Sequence, residues 1–268
     1  MRSCIKIIFV VLTLGGLPAG AQEALKVIEK LAAADPKPFV IIEGSGEKTK
    51  NRAQGVVISS KGHVLSVGHV AWISDDNAFT EKFRISFRGK GENLPKGMAH
   101  KHKTLFADRE NAAFFEQYYS AKIHKSGGSR FVVGGDLAVF KMEGKGDFPK
   151  MEFYSKSKPE LALGETLHLC HFTFPHKAAD PYFLINPVEI VGVAQTAHGL
   201  QYLAKGYYRI GSSGGAILKN GKLIGIQASA YTVNAKGVGE VPLGLISFEL
   251  VWSDQFKEAL DSAAKKEK

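Results

Sequence analysis

Cysteine is nearly absent. The chain has two, Cys4 and Cys170, too few for a disulfide scaffold. Glycine at 29 and proline at 10 in 268 residues are ordinary, which excludes collagen-like and low-complexity classes. No heptad run supports a coiled coil. The apolar run at the amino terminus, Ile7 to Leu17, has only 11 residues, whereas a bilayer-spanning helix needs about twenty. What remains is 44% apolar and 23% charged, a composition suited to one large or two small globular domains.

That short run follows a basic start, Met1-Arg2-Ser3-Cys4-Ile5-Lys6, and precedes Pro18-Ala19-Gly20-Ala21. The pattern predicts a signal peptide over residues 1–21. After cleavage Cys170 is the one remaining cysteine, so the exported chain has no internal disulfide and depends on its core. It also carries no transmembrane anchor. The expected location is the periplasm or the cell exterior. Cys170, in Leu167-His168-Leu169-Cys170-His171-Phe172, reads as a strand residue with an apolar packing role.

Net charge is +9, and +7 once residues 1–21 are removed. The excess gathers between Lys82 and Arg130, an insertion over about residues 74–130 that presents either a solvated basic face or a surface for a protein partner. No zinc-finger, RRM-like or helix-turn-helix signature accompanies it, so nucleic acid is not the expected partner. No phosphate-cradling loop or His-Glu-x-x-His motif is present, and the pairs His100/His102 and His168/His171 read as surface or core histidines. No cofactor or metal is expected.

Short strands dominate the organisation. Apolar spacing predicts strands at Phe39–Ile42, Gly55–Ser59, Val64–Ser66, Phe83–Phe87, Phe131–Val133, Leu137–Met142, Thr166–Phe172, Val188–Ala194, Ala216–Leu218, Leu223–Ala228 and Leu243–Ile246. Turn signals fall between them at Lys61-Gly62, Gly144-Lys145-Gly146 and Asn220-Gly221, the last suited to a type I′ hairpin. Helices are expected at three places: residues 22–37, Phe106 to Lys122 inside the insertion, and residues 253–268 behind the N-cap Ser253. The fold class is all-β, a barrel or sandwich. A boundary near Gly144 to Leu161 separates two strand-rich halves, 38–150 and 151–252.

Three segments carry chemistry. Gly211-Ser212-Ser213-Gly214-Gly215 sets a serine in a glycine-flanked bend whose backbone N–H groups can face a developing oxyanion. Upstream, Gly55 to Ser59 and Gly62 to Val70 read as a hairpin that delivers His69 at the end of a strand. Gly134-Gly135-Asp136-Leu137-Ala138-Val139 places an acid at the start of an apolar strand. Their order, His, Asp, Ser, suits a charge-assisted triad. The local rivals are Ser212 as nucleophile, His63 as base and Asp108 as acid.

These three segments, in this order, resemble the trypsin/chymotrypsin-like serine peptidases, and among them the bacterial periplasmic HtrA-like group. The resemblance covers most of residues 38–252. It implies two six-stranded antiparallel β-barrels, 38–150 and 151–252, with the site between them. It implies His69 as base, Asp136 as orienting carboxylate, Ser213 as nucleophile, and an oxyanion hole from the N–H groups of Gly211 and Ser213. The implied activity is endopeptidase hydrolysis of polypeptides through an acyl-enzyme. The alternative is a catalytically weak protease-fold protein that binds a partner through the basic insertion.

Departures from the family pattern are Gly68 before the histidine, Ser212 before the serine and Ala216 after Gly-Gly. A PDZ module after the protease domain is not expected. Homo-oligomers occur in the family and are an expectation here. By position the specificity pocket draws on Tyr207, Ile210, Gln227, Ala228 and Ser229, none of them acidic, so selection of Lys or Arg is unsupported.

Overall fold

The computed structural model describes residues 38–45, 50–73, 78–79, 83–87, 102–104, 136–142, 147–173, 182–196, 199–208, 211–237 and 239–257. Its first half supplies strands β1 (Phe39–Ser45), β2 (Lys50–Val57), β3 (His63–Val67), β4 (Trp72–Ile73), β5 (Ala78–Phe79), β6 (Phe83–Phe87), β7 (His102–Thr104) and β8 (Leu137–Met142). The second half supplies β9 (Thr166–Thr173), β10 (Tyr182–Thr196), β11 (Gly199–Gly206), β12 (Ala216–Lys219), β13 (Lys222–Ala235) and β14 (Gly239–Leu250).

The second half closes into a six-stranded barrel in the order β10-β11-β14-β13-β12-β9, with every ladder antiparallel. The first half forms a six-stranded sheet, β6-β1-β2-β3-β8-β7, and β4 pairs with β5 as a separate ribbon. Two closed barrels were expected. Among the described residues there is one, and edge strands β6 and β7 approach each other without pairing.

Local chemistry explains the tight connections. In the β12–β13 hairpin Asn220 and Gly221 have φ of 51° and 73°, the two positive values a type I′ turn requires. Between β2 and β3, Gly62 has φ of 84°, and a Cβ there would meet the Phe148 ring at 2.9 Å. The hairpin is thereby pinned against the chain that leads to the barrel.

Two apolar clusters form the core. Leu167, Leu169, Ile190, Ile217, Ile224 and Phe248 fill the barrel. Val40, Ile42, Val56, Leu65 and Phe140 of the sheet share the other cluster with Cys170, Phe172, Ala216 and Leu218 of the barrel. Strand β9 is therefore buried on both faces: Leu167 and Leu169 point one way, Cys170 and Phe172 the other. Its apolar residues therefore fall on both faces, with His168 and His171 buried among them. Cys170 is a free buried thiol opposite Ala216 and Ile185, in the packing role expected of it.

Strand β11 was not foreseen, because its buried positions hold Gln201 and Ala204 rather than large apolar side chains. Of the expected carboxy-terminal helix, residues 253–257 are helical, with Phe256 buried against Phe153. The expected helices at 22–37 and at Phe106 to Lys122, and the strand at Phe131–Val133, lie outside the described residues. Among the described residues no helix is long and apolar enough to cross a membrane.

Candidate active site

Strand β3 ends at Val67, and Val67 pairs with Leu137 at the start of β8. That register brings together residues 67 positions apart, the 3-10 turn Gly68–Ala71 after β3 and Asp136 just before β8. Gly68 N–H donates to the Asp136 carbonyl at 2.8 Å. His69 N–H donates to Asp136 Oδ1 at 2.8 Å, and its ring Nδ1–H donates to Oδ2 at 2.5 Å. One carboxylate thus fixes both the backbone and the ring of His69. Asp136 is 2% exposed, while the His69 side chain keeps 27% of its surface open.

This environment raises the pKa of His69. Burial opposes the charged ring, and the Asp136 charge and hydrogen bond together outweigh it. With Nδ1 carrying its proton toward Asp136, Nε2 is the basic nitrogen.

The serine loop, 211–215, connects β11 to β12. Gly211 and Gly214 have φ of 93° and 82°, which side chains rarely adopt. At Gly214 there is also no space: a Cβ would lie 1.9 Å from the Gln54 carbonyl oxygen and 2.6 Å from Ser66 Oγ. The loop therefore presses directly on β2 and on β3, the strand that leads to His69. Ser213 O accepts the Gln54 N–H at 2.8 Å, Gly214 N–H donates to Gln227 O at 2.9 Å, and Gly215 N–H donates to Ser212 O at 2.8 Å.

Gln54 was missed in the sequence and is central here. Its Nε2 donates to Phe172 O at 2.6 Å and to Gly211 O at 2.8 Å, and its Oε1 accepts the Phe172 N–H at 2.5 Å. Its own carbonyl accepts the Ser66 hydroxyl. An amide between Ala53 and Gly55 in an apolar strand was the visible signal, because a buried amide of this kind needs partners.

The rivals separate by burial and place. Ser212 is 1% exposed and its Oγ has no hydrogen-bond partner among the described residues, while Ser213 is partly exposed. His63 sits at the far end of β3, 1% exposed, with its Nδ1 bonded to Ser59 Oγ at 2.5 Å. Asp108 lies outside the described residues. No hydrogen bond joins Ser213 to His69 among the described residues, and neither the Gly211 nor the Ser213 N–H donates to a protein acceptor there.

The pocket candidates are less uniform. Tyr207 is half exposed just after β11, and Ile210 lies outside the described residues. Gln227 and Ala228 are buried on β13, Ser229 is partly open, and the Gln227 side-chain amide has no protein partner among the described residues. On β9, His171 is fully buried. Its Nδ1–H donates to Phe172 O at 3.2 Å and its Nε2 accepts from Asn186 Nδ2 at 3.0 Å. Burial pushes its pKa down to about 4, so this ring is neutral.

No family model matches the chain, and no curated protein matches it in sequence. Solved structures do match in shape. One is the HtrA-type protease AlgW with tripeptide, at TM-score 0.53 and 16% identity, covering 88% of this chain and 62% of that one. Another is a serine-to-alanine variant of AlgW with tripeptide, at TM-score 0.54 and 15% identity with the same coverage. This chain spans less than two thirds of the length of those proteins. The likeness establishes a trypsin-like, HtrA-like fold.

Proposed function

We propose that this chain is a serine endopeptidase, with Ser213 as nucleophile, His69 as general base and Asp136 as the carboxylate that orients it. The observation that carries the reading is the double engagement of His69 by Asp136, through ring and backbone together. A surface histidine needs no such clamp. A proton-transferring imidazole does, because its tautomer and direction must be fixed before reaction. Ser213, partly exposed on a loop pressed against β3, supports the same reading.

In the proposed reaction Ser213 Oγ attacks a peptide carbonyl carbon as His69 Nε2 takes the hydroxyl proton. The oxyanion accepts the Gly211 and Ser213 N–H groups. Collapse breaks the C–N bond, and His69 gives its proton to the departing amine. Water then adds to the ester with His69 again as base, releasing the acid and restoring Ser213. A polypeptide substrate fits the tripeptide named with both AlgW structures.

The finer organisation belongs to the same proposal. Residues 1–21 direct export to the periplasm or beyond, and 38–150 and 151–252 are the two six-stranded barrels of the fold. Hydrolysis of an unfolded protein by the mature chain tests the activity. Wild type should cleave it and Ser213→Ala should be at least about 10³-fold slower; equal rates would contradict the assignment.

That no hydrogen bond joins Ser213 to His69 among the described residues favours one alternative, a catalytically weak protease fold that binds a protein through residues of the 74–130 insertion. A full-length wild type with no hydrolysis, but saturable protein binding lost on replacing the basic residues Lys122, Lys125 and Arg130 by Gln in a folded variant, would select it.

A further inference from the structure

The largely apolar end of β14, Ile246-Ser247-Phe248-Glu249-Leu250, holds one acid. Glu249 is 8% exposed. Burying a carboxylate is costly unless something specific holds it. Its Oε1 accepts the Asp136 N–H at 2.6 Å and Gln201 Nε2, from β11, at 3.2 Å. Across β13 its register partner is Ile226. The titratable groups on its side are thus Asp136 and, behind Asp136, His69; no cationic side chain bonds to it among the described residues.

We propose that Glu249 is a positioning residue for the Asp136–His69 pair: from the barrel it anchors the peptide N–H of Asp136 and sets a second carboxylate behind it. The inference rests on the peptidase reading for its catalytic meaning, but its geometry belongs to the described residues alone. Asp136 sits at the mouth of β8, where the chain enters the sheet from residues beyond those described. The cross-connection to Glu249 fixes that entry point from the opposite half of the molecule. Asp136 can then face His69 with both oxygens, since its backbone is already held.

The second consequence is electrostatic. Burial first, and the Asp136 charge with it, push the Glu249 carboxyl up to about 7, against the hydrogen bonds from Asp136 N–H and Gln201. Near neutral pH it exchanges between two forms. Ionised, it adds negative charge behind Asp136 and favours the imidazolium that forms as Ser213 loses its proton. Protonated, its remaining carbonyl oxygen still accepts the Asp136 N–H, but that added field is gone. The two sites are coupled, so ionising Glu249 raises the proton affinity of His69 and protonating His69 favours ionised Glu249.

The test is an NMR titration of the His69 ring and the Glu249 carboxyl in the intact mature protein, which requires no turnover. In wild type the Glu249 carbon should titrate near neutral pH, with a matching inflection at His69. Glu249→Gln keeps the acceptor and removes the charge, so the His69 midpoint should fall by about half a unit or more. Gln201→Met, which leaves Asp136 untouched, should raise the Glu249 midpoint and lower that of His69 in the same sense. A wild-type Glu249 titrating in the usual range near 4.5, or a His69 midpoint unmoved in a folded Glu249→Gln or Gln201→Met protein, would overturn the proposal.

Kinetics separate the two claims. If the chain hydrolyses peptides, Glu249→Gln should lower kcat several-fold with KM little changed, and should move the acid limb of the profile with the His69 midpoint. A shifted midpoint in a protein that hydrolyses nothing would leave the positioning role standing and remove only the peptidase reading.

Discussion

Gln54 brackets the serine loop: its backbone N–H holds the Ser213 carbonyl and its side-chain amide holds the Gly211 carbonyl, each at 2.8 Å. The carbonyls on either side of Ser212 are thereby tied to β2 in the first half of the molecule, and the loop's shape depends on contact between the halves. Replacing Gln54 by Leu strands the Phe172 N–H and the Gly211 carbonyl, while the Phe172 carbonyl keeps only the His171 Nδ1–H. Each buried group left unpaired costs about 1–3 kcal/mol. Urea unfolding of Gln54→Leu should show a loss of at least that size, with kcat falling more than KM rises. A variant as stable and active as wild type would contradict the bracket.

Gly214 has no freedom to change. Its φ is 82°, and an added Cβ would stand 1.9 Å from the Gln54 oxygen. Gly214→Ala must push the loop away from β2 and β3, and with it Ser213. Expected is a loss of hydrolysis by about 10² or more, with far-UV circular dichroism of a folded β protein. Retained activity would mean that the loop has slack.

Much of this site was legible, because its parts are local. The glycines around Ser213, the strand-end His69 and the strand-start Asp136 each announce themselves within a few residues, and the turn at Asn220-Gly221 follows from backbone sterics. What stayed hidden was long-range. Gln54 and Glu249 are single polar residues in apolar strands, and their meaning comes from partners 157 and 113 positions away. Strand β11 escaped because barrel closure, not alternation, places Gln201 and Ala204 inside.

His69 is held above its usual 6.5, since the Asp136 carboxylate outweighs the opposing burial. With the neutral ring as the proposed base, kcat/KM should rise with pH through a midpoint above 6.5. The ion pair adds stability that is complete below 6.5 and is lost as pH climbs through the raised value. Asp136→Asn should lower the midpoint and cut the rate by roughly 10³–10⁴. A pH–rate profile with an unshifted acid limb in Asp136→Asn would contradict this.

Two buried groups bend the stability profile in opposite directions. His171 protonates at about 6.5 unfolded but only near 4 when folded, so stability falls as pH drops through that window. Glu249 loses its proton near 4.5 unfolded but near 7 when folded, so its contribution falls as pH rises from 4.5 to 7. Each amounts to a few kcal/mol in order of magnitude. His171→Gln should flatten the acid loss seen by chemical denaturation between pH 6.5 and 4, and Glu249→Gln should steepen it. Profiles parallel to wild type in both variants would contradict the two assignments.

The central claim is that Ser213 is an activated nucleophile, and fluorophosphonate labelling of the mature protein with peptide mapping of the adduct tests it most directly. The account predicts a single adduct on Ser213, absent in Ser213→Ala, slowed in His69→Ala, and faster as pH rises past 6.5. A folded protein that takes no label between pH 6 and 9, or takes it equally on Ser212, would contradict it.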